Sequence, residues 1–193
     1  MKQFAMLIAF VGAFVLTSCG YNEMQRQEEE VFKAWGDLES ALQRRADLIP
    51  NLVATVKGYA AHEAETLEKI VTMRSQAGQT KIEAKDLGNT EAMARFQKAQ
   101  NELAAGIGRL LAIAEQYPDL KSSENFRDLQ SQLEGTKNRI NVARQRYNEA
   151  VKNFNASIRS FPNNLTNNWI LHLEKKEYFK ADEKVKEVPT VQF

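Results

Sequence analysis

The chain has 193 residues, 26 Lys and Arg against 25 Asp and Glu, and a formal charge of +1, the profile of one ordinary domain with balanced charge. That balance excludes the broad basic footprint of a DNA- or RNA-binding protein, so no nucleic-acid partner is expected. Nine Gly and four Pro in the whole chain favour long uninterrupted helices over a strand-rich fold, and the class read from composition is all-α.

At the amino terminus Lys2 supplies a positive charge, and Phe4 to Val15 is almost purely apolar. About a dozen such residues suit a secretory leader and fall short of a bilayer span. Leu16-Thr17-Ser18-Cys19-Gly20 then resembles a bacterial lipobox, with Leu three residues before Cys and small residues between. Cys19 is the single cysteine of the chain, so it has no disulfide partner within it. An idle thiol is the bland alternative, but a thioether-linked lipid explains the position better. Several acyl chains, at about 0.8 kcal/mol per buried methylene, would hold the protein firmly. On this reading residues 1–18 are a lipoprotein signal peptide, and the mature chain starts at Cys19 as a membrane-anchored lipoprotein on the extracytoplasmic side. Gly20 stands where enterobacterial sorting uses Asp to retain lipoproteins in the inner membrane, so the outer membrane is favoured if the host has two.

The first helix is predicted from about Tyr21 to about Gln76. Its seam is Val31, Trp35, Leu38, Leu42, Arg45, Ile49, Leu52, Val56, Tyr59, Glu63, Leu67 and Ile70, stepping by three and four with one slip after Tyr59. That is the 3.5-residue repeat of a helix in a bundle. Pro50 removes one hydrogen bond, yet the register survives across it, so a kinked helix is expected there and not a loop. Arg45 and Glu63 occupy seam positions, either as long side chains reaching the rim or as a paired polar layer that fixes register. Arg44, Asp47 and Asn51 share one flank.

A polar loop from Gly78 to Asn89 precedes a second helix, capped by Asn89 or Thr90 and running to about Gln116 along Met93, Phe96, Gln100, Leu103, Ile107, Leu110 and Ala114. Gly106 and Gly108 weaken it by about 1 kcal/mol each relative to Ala and open a close helix approach. After Tyr117-Pro118-Asp119, Ser122 or Ser123 caps a third helix from about Glu124 to Ser160. Its stripe is Phe126, Leu129, Leu133, Thr136, Ile140, Ala143, Tyr147, Ala150, Phe154 and Ile158. Past Phe161-Pro162 there is one amphipathic candidate around Trp169 to Lys184, then the tail Val188 to Phe193.

Several ordered stretches carry a family resemblance. They are Ala34-Trp35, Arg44-Arg45-Ala46-Asp47-Leu48-Ile49-Pro50-Asn51-Leu52, Val56-Lys57-Gly58-Tyr59-Ala60 and His62-Glu63, then Tyr117-Pro118-Asp119-Leu120, Phe126-Arg127-Asp128-Leu129-Gln130, Asn138-Arg139-Ile140 and Phe161-Pro162-Asn163. Over essentially all of the mature length they resemble the LemA family of bacterial membrane-associated helical proteins. The resemblance implies a helical bundle on a membrane and brings no accepted enzymatic activity. One branch of the family is associated with magnetosome membranes, which makes membrane organisation a reasonable class of function. Two departures stand out: family members usually carry a transmembrane helix where this chain has a lipobox, and Asn167 to His172 replaces a Gly-rich apolar turn.

The expected architecture is therefore an elongated antiparallel bundle of three long helices plus a short C-terminal helix, with the bundle over 19–164 and the short helix and tail over 165–193. Chemistry is hard to place in it. His62 and His172 are the two imidazoles, and Tyr59 and Trp169 stand where a Glu-x-x-His pair would need carboxylates. No phosphate loop, nucleophile elbow or metal-ligand spacing occurs in the sequence. No enzyme, cofactor or metal is expected, and the reading is a scaffold or protein-binding module with an envelope partner, its interaction motif Trp35, Arg44, Arg45, Asp47, Pro50 and Asn51. The alternatives are a self-associating membrane organiser or an enzyme with an unrecognised site. Helices two and three look too short to cover Val31, Trp35, Leu38 and Leu42, so a second copy or a partner is expected over them, with the carboxy-terminal segment as runner-up.

Overall fold

The computed structural model describes residues 2–180, with side chains from Gly20 onward. The thiol of Cys19, the expected helix end at Lys184 and the tail from Val188 lie outside the described residues. Within them the chain is helical and contains no strand, an all-α fold as expected.

The first helix, α1, spans Lys2–Lys57 and passes through Pro50 without ending. Pro50 sits on the exposed side of the helix, so its ring faces away from the core and the buried register of Ile49 and Leu52 is undisturbed. The helix does not continue to Gln76. The amides of Tyr59 and Ala60 both bond to the Val56 carbonyl, at 3.0 and 2.8 Å, which closes the last turn. A 3₁₀ turn at Ala61–Glu63 follows, and α2 (Ala64–Gln79) folds back along α1. Arg74 Nε donates to the Ala46 carbonyl at 2.9 Å, joining residues 28 apart in sequence. The continuous rod is thus corrected to a hairpin, hinged at Gly58–Ala60. Spin labels at exposed Asp47 and Ser75 should report about one interhelical spacing, roughly 10 Å. A reading near the roughly 42 Å of 28 helical residues would restore the rod.

The loop after α2 tucks Ile82 and Leu87 into the core before α3 (Thr90–Ala114) begins. Asn89 is its N-cap, its side chain accepting from Ala92 N at 3.0 Å. Buried Gly106 meets α2 so closely that an added Cβ would stand 3.0 Å from Met73 Sδ, whereas Gly108 faces open space. A short helix, α4 (Pro118–Ser122), carries Pro118 in its first turn, where the missing N–H costs nothing. Ser123 caps α5 (Glu124–Ser157), which returns antiparallel along α1.

Two hydrophobic clusters result. The far one joins Ile49, Leu52, Leu67, Leu103, Leu110 and Phe126. The near one, toward the amino-terminal end of α1, joins Val31, Trp35, Leu38, Leu42, Phe96, Tyr147 and Phe154. So the seam that the helix lengths left open is covered from within the chain, by α5, the start of α3 and the carboxy-terminal segment. The expected second copy is not needed to bury it. That segment begins with a short helix, α6 (Asn163–Thr166), and a π turn at Asn167–Leu171, reversed by His172 in the left-handed region at φ 52°. From His172 to Lys180 it is not helical, which corrects the amphipathic helix expected over Trp169 to Lys184.

Three asparagines hold this segment by pairing their amides with its backbone. Asn167 bonds both N–H and C=O of Leu173 at 2.8 and 3.0 Å, Asn155 those of Lys176 at 2.9 Å each, and Asn148 those of Phe179 at 2.9 and 3.0 Å. Tyr147 Oη and Gln97 Nε2 donate to the carbonyls of Glu177 and Tyr178. Each clamp supplies donor and acceptor together, so a strand-like segment is satisfied without a neighbouring strand. At Gly88 a Cβ would lie 2.9 Å from the Lys175 carbonyl, a backbone approach only glycine allows.

Candidate functional site

The residues singled out from the sequence separate into two roles. Trp35 is a core residue, its ring centroid 5.3 Å from Phe96 and 5.2 Å from Tyr147. Arg45 turns inward. Its Nη2 donates to the side-chain and backbone oxygens of Gln100 at 2.8 and 3.1 Å, and its Nε finds no acceptor among the described residues. Burial pushes its pKa down to about 10, so it remains charged at neutral pH. With buried Gln100 it forms a polar pair between residues of the two apolar clusters, while buried Thr136 of α5 turns its hydroxyl to the Gln132 carbonyl of its own helix. This is the register-fixing reading of Arg45, with a neutral amide as the partner. Glu63 has no such place, lying half-buried in the 3₁₀ turn.

Arg44 faces the other way, into an open cleft of about 480 Å³ along the seam of α1 and α5. Asp37, Ser40, Asn138, Arg139, Val142 and Arg146 line it with Arg44. All three arginines are exposed, and none makes an ion pair among the described residues. Against them stands the single carboxylate of Asp37. Three guanidinium groups in one cleft present planar, forked donors that match carboxylate or phosphate oxygens. Asp47 and Asn51 continue the same exposed flank of α1 beyond the cleft, Asp47 accepting from Gln43 at 2.8 Å. Arg139 and Arg146 were not singled out as candidates, although their seven-residue spacing places them on one helix face.

No group of His, Cys, Asp and Glu among the described residues has the arrangement of a metal site. Among the described residues, likewise, no helix is long and apolar enough to cross a membrane.

Comparison with known proteins decides the family. A family model described as LemA family matches residues 34–193. The chain belongs to the LemA family. The match includes the carboxy-terminal segment, consistent with its packing into the same core. Among curated relatives, Protein LemA of Metamycoplasma hominis is 27% identical over 134 residues, covering 69% of this chain and 57% of that protein. Magnetosome protein MamQ of Magnetospirillum gryphiswaldense is 26% identical over 159 residues, covering 72% of this chain and 56% of that protein. The chain thus spans somewhat more than half the length of these relatives.

Proposed function

We propose that this LemA family chain is a non-catalytic helical scaffold of the cell envelope, tethered by lipid on Cys19 after loss of residues 1–18 and facing away from the cytoplasm. Its task is to dock an acidic segment of another envelope protein in the α1–α5 cleft. The observation that carries this reading is the convergence of Arg44, Arg139 and Arg146, without ion-pair partners among the described residues, on the longest helix seam of the molecule. The bundle fixes the backbone positions of the three residues on neighbouring helices, and their exposed side chains can close on an anionic ligand at the cost of ordering them. The outer membrane is the favoured location where the host has two.

Two experiments test it. Cys19→Ser should abolish lipid attachment and release the protein from membranes, and unchanged processing and retention would remove the anchor. Crosslinking in the native membrane followed by co-purification should yield a reproducible envelope partner. Arg44→Glu with Arg139→Glu should cut that yield about ten-fold or more while leaving helicity unchanged, as expected when charge complementarity guides docking. A yield insensitive to both reversals would overturn the cleft.

A second reading, suggested by similarity to a protein named for the magnetosome, is a membrane organiser, and we propose self-association as its means. Homo-oligomers as the sole crosslinked product would select it.

A further inference from the structure

We infer that the corner built by Phe161, Leu165, Trp169 and Ile170 is a second membrane contact, lying in the headgroup region beside the amino-terminal anchor. Its side chains are turned out in a way that folding alone does not explain. Trp169 is 81% exposed, Phe161 80% and Ile170 61%, with Leu165 also exposed. On the α6–π segment the polar Thr166 and Asn167 are buried, while Leu165 and Trp169, four residues apart and so on one face, point away from the bundle. The segment is amphipathic with its apolar face outward. The remaining exposed large hydrophobics away from this end, Tyr59, Val71, Val142 and Tyr178, are scattered singly and need no explanation.

Position identifies the occupant. An added Cβ at Gly20 would collide with Asn163 Oδ1, so α6 lies against α1 one residue after Cys19. Nine residues from Asn163 to Leu171 reach at most about 14 Å at helical rise. The apolar corner is therefore level with the start of the mature chain, where exposed Tyr21 follows Gly20, and exposed Arg159 precedes Phe161 by two residues. Aromatic and aliphatic side chains with a flanking cation are the composition that settles at a bilayer interface. A lipid tether alone leaves a rod free to swivel. A second contact beside it fixes how the bundle stands and which way the arginine cleft faces.

The inference rests on the anchoring reading, and one experiment separates the two. The full chain, lipidated, is reconstituted into phosphatidylcholine–phosphatidylglycerol vesicles, with and without phospholipid brominated near the glycerol end of its acyl chains. Flotation with the vesicles reports the anchor. Quenching reports the corner, because the other tryptophan, Trp35, is in the core about 22 Å along α1 from Gly20 and beyond the bromines. Brominated lipid should remove about half of the emission, one of the two tryptophans being in lipid contact. Trp169→Ser should leave flotation intact and abolish the quenching. A floating protein whose emission ignores bromine, or quenching that persists in Trp169→Ser, overturns the contact and leaves the anchor standing. A chain that does not float overturns both. A photoreactive residue at position 169 that crosslinks in membranes to protein and not to lipid also overturns it.

Discussion

Glu28→Ala should destabilise the bundle by about 3–5 kcal/mol, the cost of leaving a buried ion without its counter-charge. Lys176 Nζ lies 2.7 Å from Glu28 Oε1, with side-chain exposures of 8% and 14%. The ammonium also stands 5.3 Å from the Phe32 centroid and 5.6 Å from that of Phe154. Those ring faces attract the cation but cannot neutralise it, each such contact being worth about 0.5–2 kcal/mol. With the carboxylate gone, the ammonium either stays in apolar surroundings or pulls its segment into water, and the second route breaks the paired Asn155 bonds to the Lys176 backbone. Denaturant unfolding followed by helical circular dichroism reads the loss. Hydrogen exchange should show it concentrated at residues 173–179. Glu28→Met with Lys176→Met removes both charges and should return to within about 2 kcal/mol of the parent. A single Glu28→Ala variant as stable as the parent would mean that the segment is held by its asparagine clamps and the other hydrogen bonds and packing, without help from the ion pair.

What the sequence made legible is what helical period encodes. Most seam positions of α1 and α5, the cap sites to within one residue (Asn89 or Thr90, Ser122 or Ser123), and passage through Pro50 follow from local pattern and local chemistry, although Val151 is buried where the stripe placed Ala150. The hairpin did not, although the slip after Tyr59 marked its place. Residues 31–56 and 67–77 face the same core from antiparallel helices, so the three-and-four stepping continues across the turn, and periodicity cannot distinguish one rod from two strokes of a hairpin. Tyr59 is exposed and Ala60 buried instead, the local sign that the register was broken. The carboxy-terminal segment was harder still. It is held by amides of Asn148 and Asn155 on α5 and of Asn167 in its own π turn, and a polar residue on a helix flank reads as solvated until its partner is known. Arg45 shows the same limit, since its seam position left a rim-reaching side chain and an inward polar layer both open, and although Gln100 was the one polar member of the stripe on α3, nothing in the sequence paired two residues 55 apart. The arginine cleft escaped because it lies between helices: Arg44 comes from one and Arg139 and Arg146 from another, and only the antiparallel pairing of α1 with α5 brings them together.

Trp35→Ala is expected to cost about 3–5 kcal/mol, the range for removing a buried aromatic from a packed core. The expectation differs in kind from an interface role, in which the same substitution would lower molecular mass and leave stability untouched. Trp35 packs between Phe96 of α3 and Tyr147 of α5, meeting both rings at a tilt of 55° and 59°. Phe96 in turn meets Phe179 at 6.2 Å, so the cavity left by Ala would open beneath the carboxy-terminal segment as well. Trp35→Phe should be far milder, within about 1.5 kcal/mol, because the ring contacts are largely kept. It also removes an indole N–H that finds no acceptor among the described residues, a buried donor that costs about 1–3 kcal/mol when unpaired. Unfolding of the detergent-solubilised chain, with mass measured on the same samples, distinguishes the outcomes. A Trp35→Ala protein of unchanged midpoint and halved mass would return Trp35 to a surface between copies, and loss of stability at constant mass establishes it as the keystone of the near core.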